Sequence, residues 1–323
     1  MTRTLLAGMT FATLAYAGVD GTYHFTSPQT PQSMQEAATI VRTVAQIPQV
    51  SIDASNASMT FNGPADAVNL AGWILPQIDR PAGDNTIHES KLPNGDIARV
   101  NFLPNAATPQ QVQEMLTILR TVADVQKIFN FTPNRALVLC GPEWQISFAE
   151  WIVDQLNQTP DSTPRQFTVG GPDQTGMGHG ARIRFLTNTT APGQVQEILT
   201  VLRTVGDVRK VFNYTATHAL VLRATDTELE LAEWLIQQLD IPASQATGNK
   251  TYTSPAGDDI TRVFYLSNTT PQGLHAALSG IRTELRINKA FPTTSPSALV
   301  IRGTTDQIGA ATQWMAAHNA LAD

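Results

Sequence analysis

Cysteine is all but missing from this 323-residue chain. Cys140 stands alone, which excludes an intrachain disulfide and any cysteine-rich zinc site. Histidine is sparse too: the six present are scattered singly and offer little material for a metal cluster. Charge is thin, with 15% of residues charged against about 25% in an average domain. The 21 basic and 27 acidic side chains leave a net charge of −6. Such a surface lacks the dense Lys/Arg field that non-specific nucleic-acid binding needs. No apolar run reaches the length of about 18 residues expected of a membrane-crossing helix.

The usual catalytic signatures are missing as well. Gly170-Gly171, Gly176, Gly178 and Gly180 supply glycines without the lysine of a phosphate loop, and Gly248-Asn249-Lys250-Thr251 has the lysine without the first glycine. There is no Gly-x-Ser-x-Gly elbow and no His-Glu-x-x-His helix. We therefore expect no enzyme, no cofactor and no metal.

What the sequence does contain begins with a leader pattern. Arg3 is followed by a short apolar stretch, Leu5 to Leu14, and by Ala15-Tyr16-Ala17. This is the basic, apolar, A-x-A order of an export signal. Residues 1–17 read as a signal peptide, which places the mature protein in the periplasm or outside the cell.

The rest is internal repetition. Laying Arg120 on Arg203 brings identical residues together, without a gap, from Pro109/Pro192 through Phe129/Phe212 to Trp151/Trp234. Laying Arg42 on Arg120 reveals a fainter copy with Pro31, Glu36 and Trp73. A fourth copy, with small slips, carries Arg282, Lys289, Phe291, Ala298 and Trp314. The units divide as 18–80, 81–158, 159–241 and 242–323.

Each unit reads as β-α-β-β-α. Thr-Pro opens the first helix, with Thr as cap and Pro in the first turn. Val112, Met115, Leu116, Leu119 and Val122 then mark one helical face. Val125–Phe131 alternates like a strand. Ala136-Leu137-Val138-Leu139 is a continuous apolar run, which fits a strand covered on both sides. A second helix follows. The Gly/Pro/Asn-rich joins contain β-capable runs around turns such as Pro93-Asn94-Gly95-Asp96. Each join is expected to add a strand to the sheet of the next unit. The fold class is α+β: four tandem βαββα units, each a small mixed sheet with two helices on one face.

The closing stretch ALVLRATDTELELAEWLIQQLD (Ala219–Asp240), repeated as ALVIRGTTDQI, ALVLCGPEWQI and MTFNGPADAV, resembles the N-domain module of secretins, the ring-building part of bacterial outer-membrane secretion channels. LPNAATPQQVQEML resembles that family's first strand and helix. The resemblance spans most of residues 22–323, and no stretch of the sequence matches the family's β-barrel. It implies side-by-side packing of modules and the docking of protein partners in the cell envelope; the family's channel activity is not carried over. The order βαββα is also that of KH domains, but no unit carries their Gly-x-x-Gly loop. A different class of function is a small-molecule or glycan-binding protein using clefts between units.

Two repeated features are candidate interface residues. Arg42, Arg120, Arg203 and Arg282 flank the core face of the first helix. An acid follows four residues on only in the two middle copies, Asp124 and Asp207. A helix-surface pair and a contact to a neighbouring unit both remain open. Trp73, Trp151 and Trp234 fall on the outer face of the second helix. Cover by the preceding join or by the adjacent unit is one reading, and a hot spot for another subunit or protein is the other. Glu114 and Glu197, on the exposed side of the first helix, read as solvated charge. If the leader is cleaved, N-terminal sequencing of exported protein should begin at Gly18; Met1 retained in a cytosolic fraction would refute the leader reading.

Overall fold

The computed structural model describes residues 18–80, 86–103, 108–172, 176, 178–255, 257, 259–266 and 269–318. The leader expected over residues 1–17 lies outside them, as does Asn268 of the fourth copy. The chain divides into two compact bodies, one holding the residues up to Asn94 with 98–102 and 129–138, the other holding 95–97, 103–128 and 139–323.

The β-α-β-β-α order is present four times. Repeat one contains β1 (Val19–His24), α1 (Pro31–Thr43), β2 (Gln49–Asp53), β3 (Ser58–Gly63) and α2 (Ala65–Ile78). Repeat two contains β4 (His88–Lys91), β5 (Asp96–Phe102), α3 (Pro109–Thr121), β6 (Lys127–Phe131), β7 (Ala136–Pro142) and α4 (Glu143–Asn157). Repeat three contains β8 (Arg165–Thr168), β9 (Gly180–Phe185), α5 (Pro192–Thr204), β10 (Lys210–Tyr214), β11 (Ala219–Ala224) and α6 (Asp226–Leu239). Repeat four contains β12 (Lys250–Thr253), β13 (Asp259–Tyr265), α7 (Pro271–Thr283), β14 (Ala290–Thr294), β15 (Ser297–Thr304) and α8 (Thr305–Ala317).

The helix starts follow from local chemistry. Thr30, Thr108 and Thr270 accept from the backbone N–H groups of Ser33, Gln111 and Gly273, and a proline fills the first turn. Repeat three has Ala191 before Pro192 and lacks the side-chain cap. The sheets depart from the mixed kind expected. The last strand of each repeat inserts between the two strands that flank the first helix, giving the orders β1-β3-β2, β8-β9-β11-β10 and β12-β13-β15-β14. The two parallel strands never become neighbours, so the ladders of repeats one, three and four are antiparallel throughout. The join strands β4, β8 and β12 add to the sheet of the following repeat, including the glycine-rich join that carries β8.

In repeats one and three the second helix ends on a carboxylate that holds the loop before the first helix. In repeat three, Asp240 accepts from the backbone N–H groups of Thr187, Asn188 and Thr189, each at 2.8 Å. In repeat one, Asp79 accepts from the Tyr23 hydroxyl at 2.9 Å and from the backbone and side chains of Thr26 and Ser27. Burial by itself pushes the Asp79 carboxyl up, but the bonds donated by Ser27 and Thr26 outweigh it and leave it below the usual range. Burial, reinforced by Asp79, pushes the Tyr23 hydroxyl up.

A carboxyl lowered by folding contributes stability that is full above its unfolded value of about 4 and is lost as pH falls through the lower folded value. Asp79→Asn should therefore lower the melting temperature at pH 7, and the gap to the native chain should narrow below about pH 4. A pH-independent gap would refute the role assigned to the ionised carboxylate.

Candidate functional site

Each sheet has an inner face against its own two helices and an outer face. In repeat four, Leu299 and Ile301 point inward to the core with Ile281 and Met315. Ala298, Val300, Val263 and Tyr265 point the other way and join the core cluster of repeat three. The Tyr265 hydroxyl donates to the Gln238 carbonyl at 2.9 Å, and burial raises its pKa to about 12. In repeat three, Leu220 and Leu222 point inward, while Ala219 and Val221 are fully buried on the outer side; β10 packs against α3 of repeat two. The continuous apolar strand is thus a strand covered on both sides.

The joints carry a polar signature in register. Glu114 of repeat two accepts from the backbone N–H and hydroxyl of Thr215 in repeat three, at 2.9 and 2.7 Å. Glu197 of repeat three receives Thr294 of repeat four in the same way, at 2.8 Å from both groups. Glu36 of repeat one receives Thr132 of repeat two, at 2.8 and 2.9 Å. These glutamates are joint residues, and the reading of Glu114 and Glu197 as solvated charge is corrected. A trace was present in the sequence: the Thr partners recur in step with the Glu residues.

The second element follows the first helix. Gln46, Asp124, Asp207 and Arg286 occupy equivalent positions and all have left-handed backbones, with φ of 59°, 60°, 59° and 55°. Asp tolerates this region better than most residues. Asp124 is turned to repeat three, where Lys210 Nζ lies 2.5 Å from both carboxylate oxygens and Arg223 donates at 2.9 Å. The Arg223 side chain is 2% exposed. Its guanidinium also faces the rings of Trp144 and Phe148 from 5.9 and 6.0 Å, at the outer limit of cation–π attraction. Asp207 takes Lys289 at 2.6 Å and Arg302 at 2.9 Å from repeat four. That pair is wetter, with Arg302 18% and Asp207 40% exposed.

In the first joint both charges are replaced. Gln46 stands at the Asp position and Cys140 at the Arg position. Burial pushes the Cys140 thiol up to about 11, so it is no thiolate nucleophile at neutral pH. Among the described residues, no group of three or more His, Cys, Asp or Glu side chains is placed to hold a metal.

The four candidate arginines sit elsewhere. Arg42, Arg120, Arg203 and Arg282 donate to the carbonyls of Val50, Ile128, Val211 and Ala290, at 2.7–3.0 Å. Each acceptor is at an edge strand of the same repeat, which ties that strand's outward carbonyl to the helix. This bond needs no acid four residues on, which is why it survives in the first and fourth copies. Asp124 and Asp207 are free to serve the joints instead.

The tryptophans are half-buried. Trp151 lies 5.2 Å from Phe167 on β8, and Trp234 lies 5.5 Å from Tyr252 on β12, ring centroid to ring centroid. In both cases the join strand of the next repeat covers the ring. Trp73 occupies the same helical position in repeat one.

The difference between the two ionic joints is measurable. Asp124→Ala would strand the buried Arg223, a loss of about 3–5 kcal/mol of stability. Asp207→Ala should cost about 1 kcal/mol or less, as exposed pairs do. Equal losses in denaturant titrations would refute the difference in burial.

No protein-family model and no curated protein matches the chain. Among solved structures, the N-terminal domain of the secretin XcpQ from Pseudomonas aeruginosa aligns at 14% identity, covering 67% of this chain and 79% of that one, with a TM-score of 0.24. ExeD of Aeromonas hydrophila aligns at 16% identity over 89% of this chain and 60% of that one, with a TM-score of 0.17. Dim2p from Pyrococcus horikoshii aligns at 13% identity over 43% of this chain and 91% of that one, with a TM-score of 0.23.

Proposed function

We propose that the chain is a non-enzymatic scaffold of the bacterial cell envelope, periplasmic or extracellular, whose repeats assemble and dock protein partners in secretion. The observation that carries this reading is the joint. Glu to Thr is used between all successive repeats, and Asp to Lys and Arg is added between repeats two and three and between repeats three and four. A fold that packs its own copies flank to face is suited to building ordered assemblies. The resemblance of its closing motifs to secretin N-domains points the same way. Lys210, Arg223, Lys289 and Arg302 are engaged by carboxylates and add little to a nucleic-acid surface. Among the described residues no helix is long and apolar enough to cross a membrane.

A second reading has one observation in its favour. Leu156, Thr159, Pro160, Tyr214 and Thr217 line a cleft of about 300 Å³ beside the joint of repeats two and three. The Tyr214 hydroxyl there is buried without a hydrogen-bond partner, so a small polar ligand could accept from it.

Light scattering and thermal melting separate the two readings. Under the scaffold reading the native chain forms a defined oligomer. Trp151→Ala with Trp234→Ala removes rings covered within the chain, so it should cost about 2 kcal/mol of stability each, below the 3–5 of a fully buried aromatic, and leave the oligomer fraction of the folded protein unchanged. A native chain that stays monomeric at all concentrations would overturn self-assembly and move the cleft of Tyr214 to first place.

A further inference from the structure

The joint has two halves, and each can be followed through all four repeats. The receiving half is the outer sheet face. It reads Lys-Phe-Phe on β6 with Ala-Val-Cys on β7, and Lys-Phe-Tyr on β10 with Ala-Val-Arg on β11. It reads Lys289 just before β14 and Phe-Thr on it, with Ala-Val-Arg on β15. In repeat one the same positions are Gln49, Ser51 and Asp53 on β2 with Ser58, Thr60 and Asn62 on β3. Every apolar residue and both cations are gone. Ala54 replaces the threonine that reaches the glutamate. The face is wet: Gln49, Ser51, Asp53 and Thr60 are exposed. A broad hollow of about 680 Å³ lies over it, lined by Asp20, Thr22, Gln49, Ser51, Thr60 and Asn62. Asn62 is already satisfied, donating to Asp20 at 2.7 Å.

The projecting half is the flank of the first helix and the residue beyond it. It reads Glu114, Ile118, Val122 and Asp124 in repeat two, and Glu197, Val201, Val205 and Asp207 in repeat three. In repeat four it reads Ala276, Gly280, Glu284 and Arg286. The glutamate is lost, the aspartate is reversed in sign, and the two apolar residues become a glycine and an acid. Trp314, one position off the tryptophan register of the other repeats, fills the space. A side chain at position 280 would collide with its indole. Its Nε1 donates to Glu284 at 2.8 Å, and His318 stacks on it at 3.9 Å.

We propose that the four-repeat array is self-limiting: neither the outer face of repeat one nor the flank of repeat four takes a further repeat of this kind, from this chain or from a second copy. Repeat arrays need polar terminal faces to remain soluble, and here one end is solvated and the other is covered by its own tryptophan. Any association between copies must then use other surfaces. This goes beyond the scaffold reading and stands apart from it, because it concerns which faces are closed, not whether partners bind.

Light scattering of the full chain over a wide concentration range, with Thr60→Lys beside it, tests the proposal. Thr60 is exposed in the middle of the outer face, so the variant should keep its melting temperature. The native chain should show no open-ended growth, and any oligomer it forms should be unchanged by Thr60→Lys. Open-ended growth, or an oligomer dissolved by Thr60→Lys, would overturn the proposal. If the native chain is monomeric, a second variant decides. It restores both halves with Gln49→Lys, Ser51→Phe, Ala54→Thr, Thr60→Val, Asn62→Arg, Ala276→Glu, Gly280→Val, Glu284→Val, Arg286→Asp and Trp314→Ala. Concentration-dependent growth of that variant, with cooperative melting retained, supports the proposal, and a folded variant that stays monomeric refutes it. A native oligomer unaffected by Thr60→Lys supports closed ends and scaffolding together, whereas a monomer whose restored variant grows supports closed ends alone.

Discussion

A small antiparallel sheet has two faces, and two helices can cover only one of them. Most of this chain's organisation answers that constraint. In repeats three and four the second face is apolar at its centre, carries a lysine and an arginine at one end, and is covered by the flank of the repeat before it. Burial on both sides explains why Ala219–Leu222 and Ala298–Ile301 read as unbroken apolar runs instead of the alternation of a half-wet sheet. It also explains the polar residues at the joints. Apolar packing is non-directional, whereas a carboxylate that receives a lysine and an arginine fixes how far one repeat is turned against the next. The Thr bonds to Glu114 and Glu197 pin a second point on the same flank.

The sequence made the repeat order, the helix starts and the join strands readable, because each is written in neighbouring residues. Thr-Pro declares a capped first turn, and Asn-Gly between β-capable runs declares a hairpin. The helical wheel also placed Trp151 and Trp234 away from their own cores, where the join strand of the next repeat covers them. The joints could not be read this way. Asp124 and Arg223, or Glu197 and Thr294, are far apart in the chain and meet only once two repeats have folded. Arg120 illustrates a different gap. Its partner is a backbone carbonyl, and sequence patterns advertise side chains, not carbonyls. The sheet type was missed because strand insertion is a matter of topology, to which alternation and propensity are blind.

Arg223 is held on several sides. It is out of water, bound to a carboxylate and flanked by two aromatic rings, and removal of Asp124 would leave its buried charge without a counter-ion. Lys289 and Arg302 play the same parts in the next joint nearer to solvent, where salt screens them more effectively. The two ionic joints therefore differ in kind: one is a buried fixture, the other a contact that responds to ionic strength.

Repeat three carries both halves of the joint, the cations and threonine on its sheet and the two acids on its helix flank. Its projecting half is complementary to its own receiving half. A tandem duplication of that segment of the gene would thus produce a longer protein with no new interface to invent, each inserted copy meeting its neighbours through contacts already proven. Repeats one and four lack this property, and a duplicate of either would meet a mismatched neighbour. Growth of such a chain is possible from the middle and forbidden at the ends, and the same arithmetic read backwards lets an interior copy be lost without exposing an apolar face.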